Sequence, residues 1–345
     1  MEPTRLKQAI DTNDLQLVTE LMTADPTLHR APLGYGKNGP LTWVAECRVP
    51  WEPPSPERLA MARWMIDNGS DVHQGDDGPL MRASLNGDRV PMMALLVHNG
   101  ADVNAEWNGN FPILWAPCES IDPVALQWLL DHGANPNTPK QGRNVTGLDY
   151  LLGTYARSPE MTTCIDLLLA AGGTTKYNLP GVLATIQNDV NQLSKILDAD
   201  AALIHHHFPE LDCGSTGARR LLLQAGTLLH VAAEFGSPDA ARLLITRGAD
   251  VNARGASGQS PVFHSVTQYN DAGLDITKLL IANGADLSLK AKLPGAYDRP
   301  DDFPECTPLS YAISFPGDEF PGSNTQTIKL LTQVTTRHSK IVIYP

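Results

Sequence analysis

The chain has 345 residues, 42% of them hydrophobic, enough for two ordinary domains or one long repeat array. A formal charge of -12 at pH 7, with no local run of Lys or Arg, leaves no electrostatic footprint for nucleic acid. The 5 cysteines are widely separated and form no C-x-x-C pair, which argues against a disulfide framework or a zinc ribbon and for a reducing cytoplasm.

The N-terminal stretch is amphipathic and charged, and no apolar run approaches about 18 residues, so neither an export signal nor a membrane span is expected. Residues 5–28, RLKQAIDTNDLQLVTELMTADPTL, carry two short helical patterns broken at Asn13 and Asp14, with charge on one side. A second unit opens at Gly39 (GPLTWVA) and passes a proline-rich insertion, VPWEPPSPE. Its second helix runs through Leu59, Met61, Ala62, Trp64, Met65 and Ile66 to Gly69. The third is GPLMRAS from Gly78 with VPMMALLVHNGADVN to Asn104. The fourth is FPILWAP from Phe111 with VALQWLLDHGANPN to Asn137, and the fifth TGLDYLL from Thr146 with CIDLLLAAGG to Gly173.

Residues 182–203 return to the opening pattern: Asn188 and Asp189 match Asn13 and Asp14, Ile196 and Leu197 match Leu21 and Met22, and Asp200 matches Asp25. Two accounts stay open, an internal duplication that leaves a cap-like unit in mid-chain, or the common look of any short degenerate unit. A long loop, 205–226, precedes the clearest copy, TLLHVAAEFGSPDAARLLITRGADVN, from Thr227 to Asn252. Gly236, Ser237 and Pro238 divide that copy into two helices. Leu228, Leu229, Ala232 and Ala233 share one face of the first; Ala240, Leu243, Leu244 and Ile245 share one face of the second. Gly248 is the expected left-handed cap. Two further units start at Ser260 (SPVFHSV) and Thr307 (TPLSYAI), separated by a second long finger, 289–305. The tail HSKIVIYP is β-prone and has no predicted place.

TLLHVAA followed by LLITRGADVN resembles the ankyrin repeat, whose signature is T-P-L-H-x-A-A and whose period is about 33 residues. Gly69, Gly100, Gly133 and Gly172 follow that spacing, stretched where loops are inserted. The resemblance, of bacterial type, covers almost the whole chain in about nine units. It implies an all-α solenoid of helix-turn-helix units with short β-turn fingers and two long finger insertions. The expected layout is one continuous stack, with N-terminal repeats at 1–176 and C-terminal repeats at 177–345.

The resemblance also implies a concave groove lined by the inner helices, into which the residue after the signature His points. Carried over unit by unit, this slot holds Trp43, Arg82, Trp115, Tyr150, Val231, His264 and Tyr311. One turn later come Cys47, Asn86, Glu119, Thr154, Phe235, Gln268 and Phe315. Rings and cations in a groove offer flat apolar faces and anchors for a partner. The candidate binding set is therefore Trp43, Arg82, Trp115, Glu119, Tyr150, Glu234, Phe235, His264, Gln268 and Tyr311. Packing of these rings against neighbouring inner helices is the open alternative.

His230 sits at the signature His and is expected to satisfy backbone groups of adjacent turns; Asp102, Asn104, Asn135, Asn137, Asp250 and Asn252 read as turn residues. His205, His206, His207, Glu210, Asp212 and Cys213 are metal-ligand types, but three adjacent imidazoles cannot converge on one ion from an extended segment. The run from Gly214 to Arg220 lacks Walker spacing, and neither G-x-S-x-G nor H-E-x-x-H occurs. Glu46, Glu119, Asp149 and Glu234 are read as solvated surface rather than as a catalytic carboxylate pair.

The leading expectation is a non-enzymatic scaffold that binds a protein or peptide, without cofactor, metal, catalytic residues, nucleic acid or membrane. The alternative is a small-molecule or carbohydrate site, or an enzyme, with fingers 205–226 and 289–305 folded over the groove as an ordered lid.

Overall fold

In this computed structural model the described residues are 2–47, 52–142, 144–153, 157–213, 221–293, 304–314 and 324–341. Within them the chain forms nine successive helix pairs, from Glu2–Asp11 with Leu15–Ala24 to Pro308–Ser314 with Thr325–Ile341. Strand among the described residues is confined to two short antiparallel pairs, Glu106–Trp107 with Phe111–Pro112 and Ala291–Lys292 with Glu305–Cys306. None of the helices is long and apolar enough to cross a membrane, among the described residues. The chain divides into two compact units, residues 1–150 with 163–174, and residues 151–162 with 175–345.

Each pair is punctuated by its own sequence. In the second unit, helix Leu228–Phe235 ends at Gly236, which takes the left-handed conformation (φ 70°), and Pro238 opens helix Pro238–Thr246 at a position where its missing N–H costs nothing. Gly248 follows at φ 95°, as expected of a residue where the chain turns outward. The buried seam of the second helix is Ala240, Ala241 and Leu244. Leu243 and Ile245, expected on that face, are only half-buried. Two alanines there let neighbouring helices approach closely, leaving Leu244 as the large core side chain.

The opening pairs of the two halves match in geometry as well as in sequence. Asn13 and Asn188 both adopt positive φ, at 56° and 55°. Asp14 and Asp189 each cap the next helix through a carboxylate oxygen on a backbone N–H. Asp25 and Asp200 then cap short 3₁₀ turns.

Within each unit, successive repeats are joined by asparagine. Asn104 Nδ2 donates to the Gly133 carbonyl at 3.0 Å while its Oδ1 accepts from Asn135 N at 2.8 Å. Asn137 does the same with Gly172 and Thr174, and Asn252 with Gly284 and Asp286. These residues read as turn formers, yet their side chains reach the following repeat. The companions Asp102, Asn135 and Asp250 hold the turn itself.

Both long fingers are tied at the base. Phe208 bridges Gly226 in the first, and Ala291 pairs with Cys306 in the second. Their interiors, 214–220 and 294–303, lie outside the described residues, as do Thr154, Phe315 and part of the proline-rich insertion, so lid closure is not described. Of the tail, His338 to Ile341 continue the last helix rather than forming a strand, because the helix already running from Thr325 supplies their hydrogen-bond partners.

Candidate binding site

In the N-terminal unit the hairpin from Glu106 to Pro112 turns on Asn108 and Gly109, both at positive φ (53° and 64°), the Asn-Gly chemistry of tight hairpins. It sets Trp107 edge-on to Phe111 at 6.0 Å, and Phe111 edge-on to Trp115 at 6.2 Å. Trp115 then meets Tyr150 at 4.9 Å. Cations flank this chain of rings. Arg82 lies 5.4 Å from the centre of Trp107, and the Lys140 ammonium lies 4.8 Å from Phe111 and 5.2 Å from Trp115. Three buried N–H groups here, Arg82 Nε, Trp107 Nε1 and Trp115 Nε1, meet no acceptor.

Glu119 is exposed, and Arg82 and Tyr150 are half-buried. Trp43 and Trp115 are buried. Trp43 donates Nε1 to Asp11 at 2.7 Å and lies beneath the Lys7 ammonium, so it is engaged with the first helix of the chain. Trp107 and Lys140 escaped the sequence reading because neither occupies the signature slot. The Asn-Gly dipeptide beside Trp107 was the available signal.

Glu46 is buried rather than solvated, 3.8 Å from Arg82. The same holds for Glu234.

In the C-terminal unit the candidates Glu234, Phe235, His264, Gln268 and Tyr311 are all buried. Arg157 donates through Nε and Nη2 to Glu234 Oε1, each at 3.1 Å, and His264 Nδ1 donates to Glu234 Oε2 at 2.8 Å. Gln268 Nε2 bonds the Glu234 and His264 carbonyls, and the Arg157 guanidinium stacks 4.1 Å from Phe235. Burial pushes the nearby Cys213 thiol up to about 12, against the opposing pull of Arg157. Tyr311 packs on Phe263 at 6.2 Å. This network holds charge inside the unit, where breaking it is costly.

His230 behaves as its slot implies. Thr227 N donates to Nδ1 at 3.0 Å, so the proton is on Nε2, which donates to the Gln259 carbonyl at 3.2 Å. Burial drives its pKa down to about 3, aided by His264. The metal-ligand types after His205 separate: Asp212 accepts from Tyr177 and Lys176, His207 donates to Ala225 O, and His206 packs on Phe208. No group of three or more His, Cys, Asp or Glu suited to a metal occurs among the described residues.

Stacked helix pairs with asparagine staples and a surface of rings and cations define a repeat protein. A family model described as ankyrin repeats (3 copies) matches residues 184–291 and 229–337. The chain carries ankyrin repeats over residues 184–337, and such repeats generally mediate protein–protein interactions. It is 24% identical over 279 residues to an ankyrin repeat protein of fowlpox virus (strain NVSL), covering 78% of this chain and 46% of that one. It is 38% identical over 71 residues, 21% of this chain and 9% of the other, to an ADP-ribosylation factor GTPase-activating protein of Arabidopsis thaliana. The chain thus spans less than half the length of these curated relatives. The human ASB11 ankyrin repeat domain aligns with a TM-score of 0.42 at 20% identity, over 72% of this chain and 99% of the domain.

Proposed function

We propose that this chain is a non-enzymatic ankyrin-repeat scaffold of a reducing cytoplasm that binds an extended protein segment along the strip from Arg82 to Tyr150. The carrying observation is the run Arg82, Trp107, Phe111, Trp115 and Tyr150, contributed by three successive helix pairs and topped by Lys140. An extended peptide presents one carbonyl per residue, which suits N–H groups that meet no acceptor, and its side chains suit the ring faces. Leaving a buried donor unsatisfied costs about 1–3 kcal/mol, so an occupant that supplies acceptors is favoured if the hairpin shifts to admit it. Arg82, Trp107 and Tyr150 are the accessible anchors, and Trp115 is their buried footing. Five buried cysteines, none joined in a disulfide among the described residues, suit a reducing compartment.

Peptides selected by display against the full chain provide the test. Trp107→Phe, which keeps a ring and removes the N–H, and Arg82→Ala are each expected to weaken the selected peptides by about 1–3 kcal/mol. Arg242→Ala, on the exposed face of its helix, is expected to leave them unchanged. Undiminished binding by both strip variants would remove the proposal.

A further inference from the structure

The strip of rings has a cation near its middle and not only at its end. Lys140 sets its ammonium 4.8 Å from the centre of Phe111 and 5.2 Å from that of Trp115, two neighbouring rings of the run. Trp107 and Arg82 continue the contacts past Phe111, and Tyr150 continues them past Trp115.

The backbone fixes where that ammonium stands. Lys140 N donates to the Val145 carbonyl at 2.9 Å and Asn144 N donates to the Lys140 carbonyl at 3.1 Å, which closes a tight turn on Lys140. Gln141 ties the same turn to the hairpin that carries Trp107, its Nε2 donating to Glu106 Oε2 at 2.9 Å. That bond engages the acidic group beside Trp107. Asp149 accepts from the Thr146 hydroxyl at 3.2 Å, Glu46 lies 3.8 Å from Arg82, and Glu119 is exposed. Among the described residues no ion pair joins any of these carboxylates to Lys140.

Open ring faces select a cation. Here Lys140 and Arg82 already stand by those faces, so an incoming cation meets charge of its own sign. The remaining hydrogen-bonding capacity is also of one kind. Arg82 Nε, Trp107 Nε1 and Trp115 Nε1 are buried donors that meet no acceptor, and an ammonium brings donors alone. An ionised carboxylate is acceptor-only and complements both the charge and the donors. Arg82 already faces Glu46, so Lys140 is the cation toward which a carboxylate is drawn. A carboxylate at a chain end would leave the rings on one side of Lys140 uncovered, whereas an acidic side chain within a segment lets the backbone run on in both directions. The formal charge of -12 does not oppose this at contact range, because exposed charges more than about 8–10 Å away are largely screened at physiological ionic strength. Given the strip as the binding surface, we infer that its partner segment is acidic at one internal position, with an Asp or Glu on the Lys140 ammonium and apolar side chains on the rings to either side.

Random linear peptides displayed on phage and selected on the full chain test this, once resynthesised with both termini blocked so that no terminal carboxylate contributes. The selected sequences are expected to share an Asp or Glu with apolar residues on both sides, and its replacement by Asn or Gln is expected to weaken binding about tenfold or more. Lys140→Met keeps a flexible apolar stem on the rings and removes the charge. With the parent's thermal transition retained, it is expected to weaken the acidic peptide by a similar factor and to leave its amide counterpart nearly unchanged. Lys140→Glu is expected to prefer the peptide whose acidic residue is replaced by Lys. Peptides that lose affinity in Trp107→Phe and Arg82→Ala yet share no acidic residue, or that bind Lys140→Met as tightly as the parent, would overturn this inference and leave the strip standing. Undiminished binding in Trp107→Phe and Arg82→Ala would remove the strip itself and the acidic partner with it.

Discussion

The side chain of Asn252 joins two repeats at once: its Nδ2 donates to the Gly284 carbonyl at 3.0 Å and its Oδ1 accepts from Asp286 N at 2.8 Å. Asn104 and Asn137 repeat the arrangement in the other unit. A short amide alone offers both a donor and an acceptor at this reach, which is why an Asp would complete only half of the staple.

Asn252→Ala is therefore expected to destabilise the chain by about 1–3 kcal/mol, since it removes two hydrogen bonds each worth about 0.5–1.5 kcal/mol net. Asn252→Asp should fall between parent and Ala. Denaturant unfolding measures both, and a loss under about 0.5 kcal/mol for the Ala variant would show that water replaces the staple.

His230 predicts an acid weakness. The fold holds it neutral, with a pKa lowered from 6.5 to about 3, because protonating Nδ1 would oppose the Thr227 N–H and burial disfavours the charge. Its contribution is fully present above pH 6.5 and is withdrawn as the pH falls toward 3, by about 2 kcal/mol at pH 5. Comparing the parent with His230→Gln, the difference in unfolding free energy should shrink between pH 7 and pH 5. An identical pH dependence in the two would contradict it.

Arg157 and Glu234 are both buried, so removing the guanidinium takes the cationic partner from a carboxylate held away from water. Arg157→Met is expected to cost about 3–5 kcal/mol. Arg157→Met combined with Glu234→Gln should recover part of that loss, giving a coupling that a double-mutant cycle reads directly. Simple additivity of the two substitutions would show that the pair is not coupled.

Leu244 is fully buried, the large side chain of a seam it shares with Ala240 and Ala241. Leu244→Ala should cost about 2–5 kcal/mol, and hydrogen exchange should accelerate in adjacent repeats as well as in its own. Exchange confined to residues 228–246 would mean that the repeats do not share stability.

What the sequence determined alone was the unit and its punctuation. Gly236, Pro238 and Gly248 act through backbone conformations that neighbours cannot override cheaply, and the Asn-Asp pairs at 13 and 188 take the same capping geometry for the same local reason. The signature His was legible too, because its bonds to Thr227 and Gln259 come with the repeat. Tertiary structure alone decided which inner-helix residues are covered. Trp115 and His264 occupy the same slot as half-buried Arg82, but a slot specifies a direction along the helix and not what the next repeat places over it. Arg157 lies outside the signature and finds Glu234 77 positions later; such a pairing depends on how loops bring distant charges into one dry interior, which periodicity does not encode.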